Sequence, residues 1–65
     1  MRIIVNDEPR EVAGRTLAEI LAELGYGGLV VATAVNGAFA PAGRRATLLL
    51  HEGDRVEVLA PMQGG

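Results

Sequence analysis

The chain contains no cysteine, lysine, serine or tryptophan, and its only aromatics are Tyr26 and Phe39. Each absence removes a class of function. Without cysteine there is no disulfide framework, thiolate metal site, iron–sulfur cluster or redox dithiol. Without serine, cysteine or lysine there is no hydroxyl or thiolate nucleophile of the usual kinds and no Schiff-base chemistry. A single histidine, His51, is too little for a zinc site. No apolar run approaches the roughly 18 residues that span a membrane, and the N-terminal residues lack the pattern of a secretory signal. These readings predict a cytoplasmic protein that binds neither membrane nor metal.

The charge is almost balanced. Six arginines (Arg2, Arg10, Arg15, Arg44, Arg45 and Arg55) face eight acidic residues, for a net charge of −2. Only Arg44 and Arg45 are adjacent, which is a poor footprint for nucleic acid, and the pair is expected to be solvated. The acidic pairs Asp7-Glu8 and Glu52/Asp54 fall in predicted turns, where acids are usual. His51 precedes a turn and is expected at the surface. At 65 residues the chain can build one core at most, with little room for a pocket of enzyme size, about 300 Å3 or more. An enzyme is therefore disfavoured.

What is present reads as a small α+β domain. Ile3-Ile4-Val5 is a β-branched run, Asn6 to Pro9 a turn, and Arg10-Glu11-Val12 a return strand, together a hairpin. Thr16 and Glu19 have the spacing of a capping box. Leu17, Ile20, Leu21 and Leu24 then form one helical stripe, with Glu19 and Glu23 on the solvated side. Gly25 is placed to stop this helix. Leu29 to Val35 is almost continuously apolar and predicts a central strand. Asn36-Gly37 predicts a tight hairpin into Ala38-Phe39-Ala40, which Pro41 ends. Residues 42–47 are irregular with room for one helical turn. Leu48-Leu49-Leu50 shows no period, so either Leu48 or Leu50 belongs to the core. Glu52-Gly53-Asp54 is a turn, and Arg55 to Leu59 alternates as a strand with Val56 and Val58 inward.

Ala60 to Gly65 reads as a mobile tail, because Pro61 cannot join a ladder and Gly64-Gly65 holds no conformation. Two glycines at the last two positions arise by chance in roughly 0.5% of chains at ordinary usage. A Gly-Gly end can thread a channel too narrow for any other residue and deliver its carboxylate to another protein's active site. The competing reading is a frayed end or a cloning scar. Gly25, Gly27 and Gly28 follow a helix rather than feed one, so they predict a turn and not a phosphate cradle.

Several residues together resemble the ubiquitin-like sulfur carriers of the MoaD/ThiS family, and within it the ThiS branch. They are Asn6 after the first strand, Thr16-Leu17-Ala18-Glu19-Ile20-Leu21, Val35-Asn36-Gly37 with Pro41, Glu52-Gly53-Asp54-Arg55-Val56-Glu57-Val58, and Gly64-Gly65. The resemblance implies a ubiquitin-like β-grasp fold over residues 1–59, a mixed sheet of four to five strands with one helix packed across it, and a tail over residues 60–65.

It also implies a protein co-substrate with no catalytic residues and no bound cofactor. A ThiF-like adenylyltransferase would use ATP to adenylate the Gly65 carboxylate. A cysteine-desulfurase relay would convert it to a thiocarboxylate, and a ThiG-like thiazole synthase would take the sulfur for thiamine. Gly64, Gln63 and Met62 would thread the partner's channel. Leu59, directed outward by the strand alternation, is a candidate partner contact, and Phe39 belongs either to that patch or to the core. Alternatives are the small subunit of molybdopterin synthase, carriers for tRNA thiolation or cysteine synthesis, and a ubiquitin-like interaction module with an incidental Gly-Gly end.

Overall fold

The computed structural model describes residues 1–60. The elements are β1 (Arg2–Val5), β2 (Glu8–Glu11), α1 (Leu17–Glu23), β3 (Ala32–Val35), β4 (Ala38–Ala40), a 3-10 turn over Ala42–Arg44, and β5 (Arg55–Leu59). One five-stranded sheet has the order β2-β1-β5-β3-β4. The β1–β5 pair is parallel and all other pairs are antiparallel. This is the mixed sheet with a single helix of a β-grasp fold.

The alternation of β1 and β5 explains the core. Ile3, Val5, Val56 and Val58 point to one face, where they meet Leu17, Ile20 and Leu21 of α1, with Leu50, Val12 and Val31 closing the edges. Ile3, Leu17 and Ile20 are completely buried. The helix has the expected capping box: Thr16 Oγ1 accepts from Glu19 N at 3.1 Å, and Glu19 Oε1 accepts from Thr16 N at 3.2 Å. Gly25 takes φ +96°. Its N–H donates to Ala22 O and that of Tyr26 to Leu21 O, so the last-turn carbonyls are satisfied and the chain reverses.

The first hairpin turn is tighter than its sequence suggests. Asn6 and Asp7, both with positive φ, form a two-residue turn. The return strand therefore begins at Glu8 rather than Arg10 and ends before Val12. Pro9 sits opposite Ile4 in this edge strand. That pair is next to the hydrogen-bonded Val5–Glu8 pair, so the missing proline N–H would have faced solvent.

The expected central strand over Leu29 to Val35 is corrected in two ways. Only Ala32–Val35 is strand, and Leu29 and Val30 are exposed. The centre of the sheet is β5, with β3 beside it. Leu29 and Val30 lie in the loop between α1 and β3, Leu29 beside Ala18, Leu21 and Tyr26 and Val30 beside Leu59. Among the described residues no helix covers the outer face of β3.

The run Leu48-Leu49-Leu50 lacks a period because it lies antiparallel to the helix entry. Leu17 N donates to Leu48 O and Leu50 N to Arg15 O, with a bridge between Thr16 and Leu49. Leu50 is buried, Leu48 half-buried and Leu49 exposed.

The solvated reading of Arg44-Arg45 holds for Arg44 and fails for Arg45. Arg45 Nη2 donates to Val31 O at 2.6 Å, and its Nε donates to Thr33 Oγ1 at 3.1 Å. Thr33 is a buried polar side chain, and its hydroxyl in turn donates to Ala40 O. The arginine thereby ties the segment after β4 to the start of β3.

Glu23 is exposed, as expected, yet its carboxylate is occupied. It accepts from the N–H groups of Ala13 and Gly14 at 2.9–3.0 Å. These bonds hold its pKa below the ordinary value of 4.5, and bonds from Arg15 and Thr16 N–H do the same for Glu19. Both acids fasten the loop ahead of the helix.

Candidate functional outer face and terminal strand

The strand that leads to the C-terminal residues is held more firmly than its pairing alone requires. β5 is flanked by β1 and β3, and each neighbouring hairpin turn contributes an asparagine to it. After β1, Asn6 N donates to Val56 O at 2.9 Å. Its carboxamide then accepts from Val58 N at 2.8 Å and donates to Val58 O at 3.1 Å. A side chain here does the work of one more strand residue. On the other side, Asn36 Oδ1 accepts from Arg55 N at 3.0 Å, and its Nδ2 donates to Asp54 Oδ1 at 3.1 Å. The asparagines clamp opposite ends of β5. Both occupy left-handed backbone positions, φ 49° and 50°, which asparagine tolerates better than most residues.

With Val56 and Val58 buried, Arg55, Glu57 and Leu59 project from the outer face. The register places Phe39, Ala34 and Glu57 in one row across β4, β3 and β5, and Ala32 and Leu59 in the next. Phe39 is 72% exposed and Leu59 71%. Together with Val30, Ala32 and Ala34 they make an apolar surface on a face that carries no helix. A groove of about 190 Å3 runs through it, floored by Ala32 and Ala34, walled by Phe39 and Leu59, with Asn6 and Glu57 at its margin.

The structure therefore brings the two expected contact residues, Leu59 and Phe39, onto one face, and it resolves Phe39 as a surface residue rather than core. Met62, Gln63, Gly64 and Gly65 lie outside the described residues. Two contributors were missed from the sequence. Asn6 was legible as a turn former and as part of the family resemblance, but its clamping role was not, since its partner Val58 is 52 residues away. Glu57 was visible as outward-facing from the strand alternation, but its apolar neighbours come from other strands.

The face lacks the ingredients of a catalytic centre. Its carboxylate Glu57 has the apolar groove on one side and Asp7 and Arg55 on the other, and among the described residues no group of three or more His, Asp or Glu is placed to hold a metal. The acids with lowered pKa, Glu19 and Glu23, belong to the helix side of the sheet. The arrangement is suited to contact with another protein: a rigid, partly apolar sheet face next to the strand from which the last residues depart.

The comparisons agree with this architecture. A curated sulfur carrier protein ThiS from Thermus thermophilus is 41% identical over 61 residues, covering 94% of this chain and 95% of the relative. The crystal structure of a thiamine biosynthesis protein (ThiS) from Geobacter metallireducens superposes with a TM-score of 0.83 at 29% identity, with both chains fully covered. A solution structure of a thiamine biosynthesis protein from the same organism gives a TM-score of 0.80 at 29% identity, covering all of this chain and 88% of the other. The model of the ThiS family matches residues 3–65, and the chain belongs to that family.

Proposed function

We propose that this protein is a sulfur carrier for thiamine biosynthesis, acting as a co-substrate whose working group is the carboxylate of Gly65. The observation that carries the reading is the extent of the family match, which runs through Gly64-Gly65. The names of the relatives, a sulfur carrier and thiamine biosynthesis proteins, support the pathway.

In this reading a ThiF-like adenylyltransferase docks on the outer face around Leu59 and Phe39. Met62, Gln63 and Gly64 thread its channel, where the absence of a side chain on Gly64 admits the backbone. The Gly65 carboxylate oxygen attacks the α-phosphorus of ATP and pyrophosphate leaves. A carboxylate is a poor acyl donor and the acyl-adenylate a good one. The terminal sulfur of a cysteine-desulfurase persulfide displaces AMP to give an acyl disulfide, a thiol reduces that disulfide to release the thiocarboxylate and is itself oxidised to a disulfide, and the thiocarboxylate goes to a ThiG-like thiazole synthase. The carrier acts in the cytoplasm and binds no cofactor of its own.

The sheet contributes rigidity. The two asparagine clamps hold both ends of β5, the strand that carries Leu59 on the docking face. The interface is expected to be modest in area, because the carrier must leave each enzyme in turn.

The reading is tested with the adenylyltransferase from the same source by pyrophosphate exchange into ATP. Exchange is expected with the intact chain and absent when Gly65 is deleted or when one residue is appended after it. Equal exchange in all three would exclude Gly65 as the activated group.

A further inference from the structure

We infer that the groove on the outer face is a socket for one arginine side chain of the docking partner, with Glu57 as its charge-reading residue. The inference rests on the docking role proposed above for this face and adds the chemistry of the occupant.

Glu57 is the starting point. It sits on the central strand, in the row Phe39–Ala34–Glu57, beside the groove that Ala32, Ala34 and Leu59 line. Among the described residues no cationic group lies within ion-pair reach of it. The neighbouring arginine on the same strand, Arg55, is turned to Asp7 at 3.6 Å. Residues 61–65 carry no cationic side chain. A partner that covers Phe39 and Leu59 therefore also covers a carboxylate that has no ion pair of its own, because Arg55, which borders the same pocket, is turned to Asp7. Desolvating an ionised carboxylate without a partner is strongly unfavourable. A cation on the docking surface offsets that cost, and Arg55 stays with Asp7.

The shape of the groove selects the kind of cation. At about 190 Å3 it is smaller than the roughly 300 Å3 at which small-molecule sites begin, and it suits one long side chain. Its floor is two alanines, flat and apolar, which accommodates a methylene stem. Phe39 stands two strands from Glu57, about 10 Å across the sheet, so one side chain can pass the ring and reach the carboxylate. A planar guanidinium stacks on an aromatic face and meets a carboxylate with two parallel hydrogen bonds. An ammonium does neither as well. An arginine surrounded by apolar residues on the partner is the complementary surface, and such a buried charged pair has the character of a binding hot spot.

Two measurements decide it. In the first, isotope-labelled protein is titrated with N-acetyl-arginine-methylamide and, separately, with its norleucine counterpart, while backbone amide shifts are followed. The arginine probe is expected to shift Ala34, Phe39, Glu57 and Leu59 in preference to norleucine, with affinity roughly tenfold weaker for Glu57→Gln. No shift at these residues, or equal response to norleucine, overturns the inference.

In the second, the KM for the carrier in the adenylation reaction is compared for wild type, Glu57→Gln and Glu57→Leu. The socket predicts a KM raised roughly tenfold or more in both variants with kcat retained. A KM within twofold of wild type, or a lower KM for Glu57→Leu, shows an apolar occupant and overturns it. If the wild-type chain is not adenylated at all, the proposed function falls and the arginine titration alone decides the socket. Glu57 is exposed and outside the core, and matched thermal unfolding of the variants checks that they fold.

Discussion

Replacing Asn6 by alanine should remove a large part of the domain's stability although Asn6 is exposed. Its carboxamide makes two bonds to β5, accepting from Val58 N at 2.8 Å and donating to Val58 O at 3.1 Å. Their loss leaves a partly buried donor and acceptor on β5 without protein partners, at about 1 kcal/mol each. Alanine must also adopt the left-handed conformation at φ 49°, which costs about a further 1 kcal/mol. The sum is about 3 kcal/mol. A domain of this size is held by roughly 3–10 kcal/mol in total, so the fall in Tm is expected to be about 12–24 °C.

Urea and thermal unfolding followed by far-ultraviolet circular dichroism measure it, because the chain lacks tryptophan. Asn6→Gly separates the two contributions: it relieves the backbone strain and keeps the hydrogen-bond loss, so it should recover about 1 kcal/mol of the deficit. Hydrogen exchange at the Val58 amide should accelerate in both variants beyond the change in global stability. A loss below about 0.5 kcal/mol for Asn6→Ala, typical of an ordinary surface substitution, would refute the claim that this asparagine clamps the terminal strand.

Other consequences follow from the same geometry. A Cβ added at Gly14 would meet Glu19 Cβ at 2.9 Å, so Gly14→Ala should destabilise by about 1–3 kcal/mol in the same unfolding assay. Glu19 and Glu23 have folded pKa values below 4.5, so their contribution is fully present above that value. It is lost as pH falls from 4.5 through the lowered folded values, and Glu23→Gln should flatten the stability profile in that window. Phe39→Ala and Leu59→Ala should change Tm little, because both side chains are mostly exposed, yet each should raise the KM of the carrier for its adenylating partner. Thr33→Val removes the hydroxyl shared by Ala40 O and Arg45 Nε, and thermal unfolding should register a loss of about 1–3 kcal/mol.

The features legible in the sequence were those decided locally. Thr16 and Glu19 cap the helix across three residues, Leu17, Ile20 and Leu21 follow its turn, Asn36-Gly37 closes a hairpin, and Val56 and Val58 alternate. Each signal lies within one element, so spacing alone carries it. The misreadings involve partners brought from afar. Leu29 and Val30 are as apolar as core residues, but they lie in the loop before β3, with Leu29 beside Ala18, Leu21 and Tyr26 and Val30 beside Leu59. Arg45 reads as solvated in the sequence because its acceptors, Val31 O just before β3 and Thr33 Oγ1 on it, are 14 and 12 residues away. Glu23 was placed on the solvated side, which is right, but the N–H groups it accepts from lie in the loop before the helix. At the candidate site, the outward direction of Leu59 could be read from the strand period. The exposure of Phe39 depended on what covers β4, and the role of Asn6 on a parallel pairing between the first and last strands.

The central claim is that the carboxylate of Gly65 becomes a thiocarboxylate. Intact-protein mass spectrometry after incubation with the adenylating enzyme, ATP and a cysteine-desulfurase sulfur source tests it most directly. The account predicts a mass gain equal to the replacement of one oxygen by sulfur, confined to the C-terminal peptide and absent without ATP. An unchanged mass under conditions in which the same enzymes thiolate an established ThiS carrier would contradict it.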